Sequence, residues 1–128
     1  MNIMVTTLLL FLGLMAGQGP EDTARQVTTA LQGGNATEIS KHFNAMIDLT
    51  LPGYDDTYSK AQAGQILREF FSGQTVKSYK VTRQGTSPDG AQYTIGSLET
   101  SKQTYRVYFL IKKSGNQFLV HQFQIQDP

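Results

Sequence analysis

The order of patterns along this chain predicts an α+β fold, with helices gathered on one face of an antiparallel sheet. Three observations carry that expectation. Helical periodicity is confined to the first half, in short stripes such as Ala63, Ile66, Leu67, Phe70 and Phe71. From Thr75 onward the chain breaks into four runs of β-forming residues of similar length. Turn signals separate those runs, with Ser87-Pro88-Asp89-Gly90 and Ser114-Gly115-Asn116 the clearest.

The chain has 128 residues, no Cys and no Trp, 7 Phe and 6 Tyr. That length fits a single domain, and without disulfides the fold must rest on its own core. Before it, residues 1–19 read as a signal peptide. Leu8 to Ala16 is an apolar run too short to span a bilayer, followed by small residues at Ala16, Gly17 and Gly19. The expected product is an exported protein, periplasmic or extracellular, with residues 20–128 as one domain. With no Cys to carry a lipid, the secreted chain would have no membrane anchor.

Within that domain, Glu21 to Gln32 predicts the first helix. Ala24, Val27 and Leu31 share a stripe, and two acids favour the positive end of the helix dipole. Gly33-Gly34 stops it, and Asn35 with Glu38 three residues on forms a capping box for a short second helix. Ala45 to Leu51 alternates as a strand, with Ile47, Leu49 and Leu51 on the face that should win the core. Pro52-Gly53 ends it, and Tyr54 to Lys60 reads as a polar loop. Ser59 and Gln62 cap the third helix, which Gly73 closes. The strands then expected are 76–84, 91–100, 104–112 and 117–126.

Net charge is +1, too close to neutral to call for nucleic acid or an anionic membrane. The charge is unevenly spread. From Glu21 to Ser59 six acids face two bases, and from Lys60 onward nine bases face four acids. Such asymmetry either marks a solvated surface or pairs two subunits.

The element order, together with Thr29 to Phe43, Ile47 to Gly53 and Ser59 to Ser72, resembles the nuclear transport factor 2-like superfamily. The stretch YRVYFLIKKSG from Tyr105 to Gly115 is similar to an exported branch of it, a family of unknown function typical of Bacteroidota. The resemblance implies a cone: a curved antiparallel sheet packed on N-terminal helices around a pocket. Its members include isomerases, dehydratases, ligand binders and domains that only dimerise, so the fold does not decide the function. Isomerases there use Asp with Tyr and dehydratases His with Asp. Neither set matches this chain residue by residue.

His121 is the most suggestive single residue. Simple alternation puts it on the face of Leu119, Phe123 and Ile125, toward the helices, where an imidazole could act as base or ligand partner. A histidine satisfied by its neighbours is the plainer reading. Asp48 shares a face with Met46 and Thr50, the one alternation turns outward. His42 stands alone, and no His, Cys or carboxylate spacing calls for a metal or other cofactor. Tyr54 and Tyr58 flank the mouth of the expected cone, and Tyr93, Phe109 and Phe123 lie on strands where they would line it.

Two readings follow. The first is a non-catalytic exported module that binds a small apolar or amphipathic ligand or a protein partner, with His121, Tyr54, Tyr58, Tyr93, Phe109 and Phe123 lining the cavity. The alternative is an isomerase- or dehydratase-type enzyme using His121 with an Asp or Tyr. Because Arg106, Tyr108 and Leu110 oppose Val107, Phe109 and Ile111, that strand is apolar on both faces. A homodimer through the outer sheet face is the expected partner.

Overall fold

The computed structural model describes residues 19–128. The expected signal peptide, apart from Gly19, lies outside the described residues. The chain runs α1 (Pro20–Gln32), α2 (Ala36–Ser40), β1 (Phe43–Leu51), β2 (Tyr54–Ser59), α3 (Lys60–Ser72), β3 (Val76–Thr86), β4 (Gln92–Thr100), β5 (Thr104–Ser114) and β6 (Gln117–Gln126). The Ser59/Gln62 capping box closes in both directions, whereas at Asn35 only the side-chain cap forms, because the Asn35 N–H donates to the Ala30 carbonyl and not to Glu38. The Asn35 side chain accepts from the Glu38 backbone, and Ser59 accepts from the Gln62 N–H while the Gln62 amide accepts from the Ser59 N–H. Gly53, at φ 87, makes the tight turn into β2 that a Cβ would strain.

The strands form one curved six-stranded sheet in the order β2-β1-β6-β5-β4-β3. All pairings are antiparallel except β1 with β6, which is parallel, so the sheet is mixed. Tyr54 to Ser59, expected as a loop, is an edge strand paired with β1. Residues 54–57 are exposed, so no burial rhythm marks the strand; the backbone ladder to β1 holds it, helped by side-chain bonds to Asp48 and Thr50 and by Tyr58 on the core margin.

Three irregularities bend the antiparallel pairs. On β3 the extra residues are Lys77 and Thr82, and on β6 the extra residue is His121, since Leu110 pairs with Gln122 while Ile111 pairs with Val120. Each bulge raises local twist and curls the sheet about its concave side. There α1 packs across β3 to β6, and α3 covers β1 and β2.

The core fills that concavity. Val27 and Leu31 from α1, Leu67 from α3, Phe43 and Ile47 from β1, and Val107, Phe109, Phe123 and Ile125 from the central strands are at most 1% exposed. Phe123 stacks on Phe109 with centroids 6.3 Å apart and meets Phe43 at 5.5 Å. A second aromatic group joins Phe70, Phe71 and Tyr105 at 5.1–5.3 Å beneath α3. Tyr79 leans across Gly96, in space that any Cβ there would occupy.

Candidate functional site

The structure does not gather the six residues expected to line a cavity. Phe109 and Phe123 are wholly buried and stacked on one another in the core. Tyr54 and Tyr58 sit on β2, with ring centroids 6.4 Å apart; Tyr54 is 39% exposed, and Tyr58 packs on the core margin. Tyr93 points outward from β4, pairing across to Leu110 and lying over Gly85 on β3.

His121 requires a correction. As the extra residue of the β6 bulge it breaks the alternation, so Val120, Phe123 and Ile125 face the core while His121 does not share their side. Its charged neighbours are Asp48 and Lys112, both exposed on the outer face. Burial holds its pKa below the usual value, Lys112 lowers it further, and Asp48 partly opposes them. Its Nε2 is buried without a hydrogen-bond partner. The enzyme reading needs this imidazole in the cone beside a carboxylate or Tyr hydroxyl, and the bulge turns it the other way.

Asp48 lies outward, as the alternation of β1 predicts, and accepts a hydrogen bond from the Thr57 hydroxyl at 2.7 Å. Inside, among the described residues, two hydroxyls stand without partners, those of Tyr79 and Thr94, at 2% and 1% exposure. Both belong to residues facing the core, and burial pushes the Tyr79 pKa up. Among the described residues no cluster of three or more His, Cys, Asp or Glu gathers as a metal site.

Two surface features have geometry worth chemistry. The first is the outer face of the sheet. Cross-strand register sets Tyr93 beside Leu110 and Ile95 beside Tyr108, with Gln122 and Gln124 on the neighbouring strand. These apolar side chains are only half-buried. On one flank the same face carries Asp48 and Asp55, from β1 and β2, and on the other Lys80 and Arg83, from β3. Burial, then the neighbouring Tyr93, raises the Tyr108 pKa.

The second is a cleft of about 550 Å³ at the opposite corner, where the first turn of α1, the α2–β1 turn, the start of α3 and the β5–β6 hairpin meet. Lys41, His42 and Lys60 line one wall, and Gln26, Asn116 and Gln117 line the other. One backbone bond and one side-chain bond fix the corner: Val120 N–H donates to the His42 carbonyl at 2.8 Å, and the Thr23 hydroxyl donates to the Phe118 carbonyl at 2.9 Å. Lys60 Nζ donates to the Lys41 carbonyl at 3.1 Å, drawing the two bases together. His42, which the sequence presents as an exposed histidine of the second helix, lies just past α2 and half-buried, and the rest of the cleft comes from three other segments that no local motif joins to it.

Comparison with known proteins fixes the family. A family model, Domain of unknown function (DUF4783), matches residues 24–126. The chain belongs to the DUF4783 family. A DUF4783 protein from Bacteroides ovatus ATCC 8483 is similar in structure at 31% identity and TM-score 0.75, covering 80% of this chain and 93% of that one. A DUF4783 protein from Bacteroides uniformis ATCC 8492 follows at 29% identity and TM-score 0.75, with 81% and 95% coverage. Beyond DUF4783, a nuclear transport factor 2-like protein from Cytophaga hutchinsonii ATCC 33406 shares the fold at 11% identity and TM-score 0.61, covering 86% and 90%. No curated protein matches. The nuclear transport factor 2-like architecture expected from the sequence is therefore the one observed, and DUF4783 carries no known activity with it.

Proposed function

We propose that this chain is an exported, non-catalytic binding module that works through the outer face of its sheet as a homodimer. The carrying observation is the charge layout of that face. An apolar centre at Tyr93, Ile95, Tyr108 and Leu110 lies between an acidic flank on β1 and β2 and a basic flank on β3. The sheet order places those flanks at opposite ends. A two-fold axis running along the strands over β5 and β6 lays each acidic flank on the partner's basic flank. That is the self-complementarity an isologous interface needs.

The filled interior supports the non-catalytic part. Side chains occupy the space where a cone would hold substrate, and His121 lies outside it. Export rests on the apolar leader read in the sequence.

Native mass spectrometry of the wild type and of Tyr108→Lys tests the assembly. The wild type is expected as a dimer and Tyr108→Lys as a folded monomer, because a charge at the centre of an apolar interface loses its water without gaining a partner. A wild type that stays monomeric at high micromolar concentration overturns the reading. So does a Tyr108→Lys variant that keeps the wild-type dimer.

A further inference from the structure

We propose that the cleft between the first turn of α1, the α2–β1 turn and the β5–β6 hairpin binds a small organic anion, a carboxylate with hydroxyl groups beside it. The site is separate from the sheet face assigned to dimerisation and uses none of its residues.

Charge comes first. Lys41 and Lys60 bring two cations to the lining, and both lie near enough to the His42 imidazole to act on its charge. Among the described residues the single acid lining the cleft is Asp22, and its carboxylate is committed to Arg25 and to the Gly19 N–H. Lys41 reaches Glu38 at 3.4 Å, an exposed contact that is worth little and leaves it able to turn to a ligand. A carboxylate in the cleft meets an excess of positive charge, and a charge-assisted hydrogen bond is roughly twice as strong as a neutral one.

The opposite wall supplies a different chemistry. Gln26, Asn116 and Gln117 present three amides, each able to donate and to accept. Such groups read hydroxyls, which also do both. A volume of about 550 Å³ falls in the range of small-ligand sites and suits a sugar acid.

His42 reports on the occupant. Burial lowers its pKa first; Glu38 raises it, while Lys41 and Lys60 lower it further. Asp22 faces the same cleft from α1, and the hairpin residues that line it, Asn116 to Leu119, are uncharged. A bound carboxylate brings a negative charge and raises the His42 pKa. By linkage, the anion then binds more tightly as pH falls through the His42 titration.

The test is NMR titration of the protein with glucuronate, with glucose and inorganic phosphate alongside. Glucuronate is expected to shift the signals of His42, Gln117 and Lys60, raise the His42 pKa, and bind about tenfold more tightly than glucose. Lys60→Gln, at an exposed position, is expected to keep the fold and weaken glucuronate by about tenfold. Equal binding of glucose overturns the anion requirement, and equal binding of phosphate overturns the organic one. Absence of any shift at His42 with tens of millimolar glucuronate removes the site. Lys60→Gln binding as the wild type does removes the charge argument.

Discussion

Replacing Gly96 by Ala tests whether the concave interior is as full as the side chains indicate. A methyl at this position meets the Tyr79 ring, with Cε1 2.6 Å away and the hydroxyl end nearer still. Tyr79 cannot swing into water, because it is 2% exposed and clamped between α1 and the sheet. Overpacking of this kind costs about 1–3 kcal/mol. Against it stands the gain of about 0.5–1 kcal/mol from Ala over Gly inside a strand. The balance is a net loss of about 1–2 kcal/mol. For a domain of this size that is a fall in Tm of about 4–8 °C.

Urea and thermal unfolding measure it, and a second variant isolates the cause. In a Tyr79→Leu background the ring is gone, so the added methyl should be neutral or mildly stabilising. The two changes should then show a coupling of about 1 kcal/mol or more. If Gly96→Ala alone raises Tm, the Tyr79 ring is not pressed on that strand. The interior would then have room that the proposed function denies it.

Two further outcomes follow from the same interior and from the histidines. Tyr79→Phe removes a buried hydroxyl without a partner, so it should stabilise the fold by about 1 kcal/mol; a loss of stability by urea unfolding would show that the hydroxyl is satisfied. Both His42 and His121 have pKa values lowered by burial, so the native state disfavours their charged forms. The unfolded chain takes up protons first, near pH 6.5, and stability present above that pH is lost as pH falls through the folded values. Unfolding measured between pH 8 and pH 5 should show that decline, and His121→Gln should flatten it in part; a pH-independent stability would refute the burial of both rings.

The sequence announced whatever was local. Helix stripes and caps, the turn at Pro52-Gly53, and the common face of Val107, Phe109 and Ile111 are written in spacings of two to four residues, and each is found; which face of that strand turns inward is not, because both are apolar. What failed was whatever depends on a partner strand. Nothing in Gln117 to Gln126 marks His121 as an extra residue, because a bulge is defined by the register of β5, not by β6 itself. Tyr54 to Ser59 looked like a loop because an exposed edge strand has no burial alternation to display. The parallel contact of β1 with β6 joins residues more than seventy positions apart, and the cleft at His42 depends on it through the Val120 bond. A site assembled by such a contact leaves no local signal.

The charge asymmetry of the sequence resolves into two distinct arrangements once the chain is folded. Asp48 and Asp55 from the acidic half go to one flank of the outer face, and Lys80 and Arg83 from the basic half go to the other, because β1–β2 and β3 end at opposite sides of one sheet. Lys41 and Lys60 do not join that gradient. They sit close in sequence on either side of the β1–β2 hairpin, and Lys60 caps the Lys41 carbonyl, so the hairpin returns one base to the other. Like charges brought together at a surface cost free energy unless something negative is near. On the outer face a second copy would supply the opposite charge. In the cleft Asp22 is already engaged by Arg25 and Glu38 meets Lys41 only in an exposed pair, so the charge left over there is a demand that a ligand can meet and a second copy docked on the sheet cannot.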